Sequence, residues 1–232
     1  IDLLGFSLII PVLGPLIVEG DYVLDASFDE STRNLIYGLL SGIFPLFQFF
    51  GSSILGSLSD KYGRKPVLTI SLIVSLSGYI IFTYGIYSAD LLLMFIGRSI
   101  QGLAAGNLSI LYSSIADVST PQEKAKNFGM IGAAFGLGFV IGPFLGGVLS
   151  DPNIFADLGL DLPGISQYLS FETPFIIGTI MVLINFIQVR LFFKETHFDR
   201  KQDIVVTPFT GVVNLAKSIS NPNLRSIFSV VF

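Results

Sequence analysis

The 232-residue chain has no cysteine, no tryptophan, a single histidine and little charge. Without cysteine there is no disulfide framework, no thiolate zinc site and no redox dithiol, and nothing follows about the redox compartment. His197 alone cannot build a first-row metal site, so no metal is expected. The apolar runs hold neither a Ser/His pair nor a carboxylate dyad for intramembrane hydrolysis, which argues against an enzyme. Charged residues make up 13% of the chain, about half the share of a soluble domain. These shortages together exclude an ordinary soluble globular protein.

What fills the chain instead is apolar: 51% of its residues are hydrophobic and the mean hydropathy is +0.74. A hydrocarbon core ~30 Å thick needs about 20 apolar residues per helical crossing. Runs of that kind recur at Ile1 to Val18, Leu35 to Leu58, Pro66 to Tyr87, Leu91 to Ala116, Phe128 to Leu149 and Phe171 to Phe193. Transmembrane strands would be about half as long and would alternate polar with apolar residues. Leu91 to Ile96 and Ile176 to Ile184 do not alternate, so an all-α polytopic membrane protein with six crossings is expected. No basic segment or small-residue cleavage site accompanies the first run, which argues against a signal peptide. Apolar sequence at Ile1, and again from Ser226 to Phe232, leads to the expectation that the chain is part of a longer one.

The loops divide by charge. Those at Glu19 to Asn34, Ser88 to Asp90 and Ser150 to Glu172 hold ten acids and one base, Arg33. Those at Ser59 to Lys65 and Asp117 to Asn127, with Arg190 and everything after it, hold eleven bases and six acids. The alternation is complete, and the Lys/Arg bias predicts that the basic side, with both chain ends, is cytoplasmic. The domain plan is then a six-helix transmembrane domain over 1–193, a cytoplasmic linker over 194–223 and the start of a seventh helix over 224–232. Thr207-Pro208 and Asn221-Pro222 mark turns in the linker. Sliding the second crossing by 91 residues onto the fifth aligns Gly38 with Gly129, Phe44 with Phe135, Gly51 with Gly142 and Gly56 with Gly147. The two crossings run in opposite directions, as in a 3+3 inverted repeat, a plan used by secondary transporters.

The most specific segment is Gly56-Ser57-Leu58-Ser59-Asp60-Lys61-Tyr62-Gly63-Arg64-Lys65. It demands a tight turn between two helices, with Gly63 free to take a positive φ, and Asp60 is able to pair with Arg64 or meet a helix N-terminus. This loop resembles the signature between helices 2 and 3 of the major facilitator superfamily. Arg98-Ser99-Ile100-Gln101-Gly102 resembles the segment associated with proton transfer in that family's drug:proton antiporters. Gly138, Gly142-Pro143 and Gly146-Gly147 resemble the fifth-helix signature that separates antiporters from symporters, where a gate-like contact with the other half limits leak. Spacing alone also allows plain close packing there, with a kink at Pro143. Asp2, nine residues before Pro11-Val12-Leu13, resembles the embedded acid of tetracycline-type efflux proteins.

The resemblance implies an N-terminal half of a major facilitator fold whose C-terminal six-helix half is the missing partner. It implies a proton-coupled antiporter exporting small amphiphilic, tetracycline-like compounds by alternating access, in the plasma or inner membrane. Asp2 and Arg98 would couple the proton, since a charge in the membrane costs at least a few kcal/mol unless it lines a cavity or meets a partner. Counted along straight helices, Asp2 lies ~12 Å from the level of Arg98, so residue counting does not bring the two into a direct bridge. The glycine motifs, Asp60, Arg64, Lys65 and Asp117 would work the gate, with Asp117 pairing with Arg64. Tyr37, Phe44, Gln48, Gln101 and Asn107 are expected in the substrate cavity because polar and aromatic groups in crossings face inward. The expected partners are the bilayer, a small-molecule substrate and the missing half, with no nucleic acid and no cofactor beyond the coupling proton. A nutrient symporter on the same fold, or a non-transporting receptor, is the alternative.

Overall fold

The computed structural model describes residues 2–20, 22–160 and 163–198. The linker beyond 198 and the seventh helix expected at 224–232 lie outside the described residues. All regular structure among the described residues is helical. Five helical spans are long and apolar enough to cross a membrane, and a sixth, Leu4–Glu19, is shorter.

Prolines shape that first span. Short helices α1 (Asp2–Leu8) and α2 (Ile10–Leu13) are followed by a π-helical turn, Gly14–Glu19. Pro11 and Pro15 each lack the N–H of a regular ladder and crowd the carbonyl four residues back, so the helix breaks and widens where they occur. After an irregular loop come α3 (Glu30–Tyr62), capped by Asp29 accepting from Thr32 N–H, and α4 (Arg64–Tyr87). Asp90 then caps α5 (Leu91–Ala105) by accepting from the N–H groups of Leu92 and Leu93. The fourth crossing, expected as one helix, divides here into α5 and α6 (Leu108–Val118). At the junction Gly106 N–H bonds to Leu103 O, and Asn107 N–H to Ala104 O, in tight i→i+3 turns. The crossing then returns through α7 (Lys124–Ser150). Two short turns, α8 (Ile154–Asp157) and α9 (Pro163–Ser166), lead to α10 (Thr173–Phe192).

In the bundle α5 packs along both α3 and α4, α10 along α4, and α1 along α7. The 91-residue repeat reappears as packing. At Gly51 of α3 an added Cβ would collide with the Leu103 backbone of α5, and at Gly142 of α7 it would collide with Ser7 and the Leu4 backbone of α1. Both positions hold glycine because a second backbone passes where a side chain would stand. One apolar cluster, including Leu13, Leu16, Leu40, Phe82 and Phe175, fills the acidic half, and Val67, Leu68, Leu72 and Ile110 fill the basic half. Outside, α7 exposes Val140 at 72% and Phe144 at 67%, as a surface meeting lipid or other apolar helices does.

The lone base of the acidic loops is structural. Arg33 is buried and donates to the carbonyls of Gly20 (2.6 Å), Asp25 (3.0 Å), Phe28 (3.2 Å), Ile17 and Leu24 (3.3 Å each), tying the first loop to the head of α3.

Candidate functional site

Two polar clusters stand out in this apolar bundle. The first is built on α5, where eight residues of helix carry Arg98 ~12 Å in from Asp90. Its side chain is 0% exposed. Nη1 donates to Gln101 Oε1 at 3.1 Å, one turn away. The guanidinium lies 4.7 Å from the ring centre of Phe44 on α3, 5.8 Å from Phe6 on α1 and 5.8 Å from Phe82 on α4. Aromatic faces attract a desolvated cation by about 2 kcal/mol, which falls short of replacing the acceptors a buried guanidinium needs. Nε and Nη2 of Arg98, Nε2 of Gln101 and Oδ1 of Asn107 have no hydrogen-bond partner among the described residues. The aromatic cage supplies none of these atoms with a hydrogen-bond partner.

Asp2 belongs to α1, one helical turn before Phe6, and its side chain lies outside the described residues. Phe6, four residues further along α1, brings its ring centre to 5.8 Å from the Arg98 guanidinium carbon.

The second cluster lies at the basic end. Gly63 takes φ +102° and ψ 156°, a region that essentially only glycine enters, and turns α3 into α4. Arg64, 4% exposed, directs Nη1 at Asp60 (2.5 Å) and Ser59 Oγ (2.7 Å), and Nε at Asp117 Oδ2 on α6 (3.1 Å). The pairing expected of Asp117 and Arg64 is thus present in the structure. Ser59 and Glu195 join them. Glu195, just past α10, accepts from the backbone N–H of Arg64 (2.9 Å), Lys65 (3.2 Å), Thr196 (2.9 Å) and His197 (3.0 Å). Burial pushes the Glu195 carboxyl up, but the four N–H groups outweigh it and hold the carboxyl below the usual glutamate range. An acid 131 residues from Arg64 carries no local signal that it caps the start of α4.

The other expected residues divide. Gly138, Gly142 and Gly146 serve a contact inside this bundle: Ser7 Oγ donates to Gly138 O at 2.9 Å, and Gly146 abuts Leu8 and Pro11. Gly147 faces open space, while Gly56 lies beside Ser109 of α6. Pro143 sits within an unbroken α7. The five expected cavity residues do not share one wall. Phe44 and Gln101 enclose Arg98, and Gln48 Nε2 donates to Ala105 O at 3.3 Å beside the α5–α6 junction. Tyr37 packs on the apolar cluster of the acidic half, and Asn107 lines a cavity of about 420 Å³ with Leu68, Phe135 and Asn185.

A bundle with a caged mid-span arginine and an ion-paired turn at its basic end has clear relatives. The model of the Major Facilitator Superfamily matches residues 1–232. The class H tetracycline resistance protein of Pasteurella multocida is 34% identical over 196 residues, 84% of this chain and 42% of that protein. The class B protein of Escherichia coli is 31% identical over the same proportions. The chain therefore spans less than half the length of these two relatives. Among solved structures, the human organic anion transporter MFSD10 (TETRAN) superposes with a TM-score of 0.66, covering 97% of this chain and 56% of that one at 21% identity, a likeness of fold. On the full-length family match and the helical architecture, the chain belongs to the Major Facilitator Superfamily.

Proposed function

We propose that the chain is one half of a proton-coupled antiporter that exports small amphiphilic compounds, tetracycline-like molecules among them, by alternating access. The observation that carries this reading is Arg98, wholly buried in mid-span with two nitrogens lacking an acceptor. An ionised Asp2 would be such an acceptor, and a protonated one would not. Uptake and release of that proton then change the partner of Arg98, at the meeting point of α1, α3, α4 and α5. A difference in free energy between two arrangements of these helices is what biases a two-state transporter.

The Arg64, Asp60, Asp117 and Glu195 cluster acts at the cytoplasmic end as a latch that holds α3, α4, α6 and the end of α10 together in one state. The substrate binds between this half and a second six-helix half, which supplies the remaining wall. The tetracycline resistance relatives support the substrate class, and the interrupted α5–α6 crossing next to Asn107 supports a site near mid-membrane, since such interruptions recur where transporters bind their cargo.

Everted membrane vesicles made from cells expressing the full-length protein test this. Adding substrate to acidified vesicles is expected to release protons, and Asp2→Asn to abolish that release while the protein still inserts. Substrate-driven acidification instead would make the protein a symporter. Absence of any response across a compound panel would reject transport.

A further inference from the structure

At the basic end two cations belong to no ion pair among the described residues. Lys65 on α4 and Arg190 in the last turn of α10 line a recess of about 490 Å³ with Pro66, Thr69, Ile70 and Glu195. Glu195 would be their natural counter-ion, but both its oxygens accept backbone N–H groups. Among the described residues the ion pairs of this face belong to Arg64. Lys65 and Arg190 therefore line one recess with a single acid, Glu195, whose oxygens are already shared with backbone N–H groups.

The recess opens onto the outer surface of the α4–α10 seam. Spacings of three and four residues continue its two walls along the helices. Ile73 follows Ile70 on α4, and Ile187 precedes Arg190 on α10, exposed at 50% and 46%. The same helix pair lines a second recess of about 400 Å³ near the acidic end, apolar apart from Glu172 and a few hydroxyls and with no base. The seam is thus an apolar furrow whose bases lie at one end only, at the first turn of α4 and the last turn of α10.

We infer that the furrow between α4 and α10 holds one anionic phospholipid, its phosphate between Lys65 and Arg190 and an acyl chain along Ile70, Ile73 and Ile187. Two bases against the one carboxylate of Glu195 leave the recess net positive, which favours an anionic headgroup, and basic pockets between helices at a membrane surface bind such lipids. The bound phosphate sits one residue from Arg64, so it adds to the forces holding the turn between α3 and α4. The inference concerns lipid binding alone and does not depend on the direction of transport or on proton coupling.

Native mass spectrometry of the purified full-length protein, titrated with phosphatidylglycerol against phosphatidylcholine, tests it. Wild type is expected to retain one phosphatidylglycerol selectively. Each single variant, K65Q or R190Q, is expected to weaken retention about fivefold and the double variant about 25-fold, from ~1 kcal/mol per base. The charge-preserving K65R/R190K keeps the lipid and guards against misfolding as the cause. K124Q/K126Q, which removes as much charge from the same face, leaves retention unchanged. Equal retention by wild type and K65Q/R190Q, an equal loss in K124Q/K126Q, or displacement of the lipid by inorganic phosphate would each overturn the assignment.

Discussion

Arg98 is the residue whose chemistry departs furthest from its surroundings. A buried charge is kept at a cost in stability, and replacing one with an apolar side chain of similar volume is often neutral or stabilising by about 1–4 kcal/mol. Arg98→Met is therefore expected to hold or raise the melting temperature of the full-length protein in detergent while abolishing substrate-driven proton release. A lower melting temperature would assign Arg98 a structural role instead. Glu195 carries the opposite expectation. Its carboxyl titrates below its unfolded value, so its contribution is present in full above the unfolded pKa and is lost as pH falls through the folded one. Glu195→Gln is expected to cost about 1 kcal/mol near neutral pH, as loss of a helix cap does, and the gap from wild type to close below the folded pKa. Chemical unfolding at the two pH values measures it.

At the scale of the helices, stability rests on two backbone crossings related by the internal repeat. Gly51 against α5 and Gly142 against α1 have no room for a side chain, whereas Gly147, also on α7, has open space. Gly51→Val and Gly142→Val are each expected to destabilise the fold by about 1–3 kcal/mol, the usual cost of overpacking, and Gly147→Val by much less. Thermal unfolding of the three variants compares them directly. The spacing of four among Gly138, Gly142 and Gly146 marked a helix face for close approach, but spacing does not name the partner. In the structure that partner is α1.

For the whole molecule, the ion-paired turn links α3, α4 and α6, and Glu195 adds the segment after α10. If Arg64 and Asp117 act through their mutual contact at 3.1 Å, Arg64→Gln and Asp117→Asn should shift the balance between the two global states equally, and the double variant should add little, since residues in one network are not additive. Accessibility of a cysteine introduced at the basic end, in this naturally cysteine-free chain, reads that balance. Unequal single effects would place the latch elsewhere.

Much of this architecture was legible before any folding was considered. Apolar run length set the spans, because the thickness of a hydrocarbon layer is the same for any sequence. Loop charge set apart a basic and an acidic end, and the turn at Gly63 was readable because glycine alone enters its backbone region. Prolines 11 and 15 lay in plain view, yet the break and the π-helical turn they cause, like the α5–α6 interruption at Gly106, depend on what packs beside them. The cage of Phe6, Phe44 and Phe82 about Arg98, the capping of α4 by Glu195 and the cations facing the α4–α10 furrow belong to the tertiary structure alone. Each joins residues far apart in the chain, and a side chain's partners across a bundle depend on helix rotation and approach, which no local pattern of residues encodes.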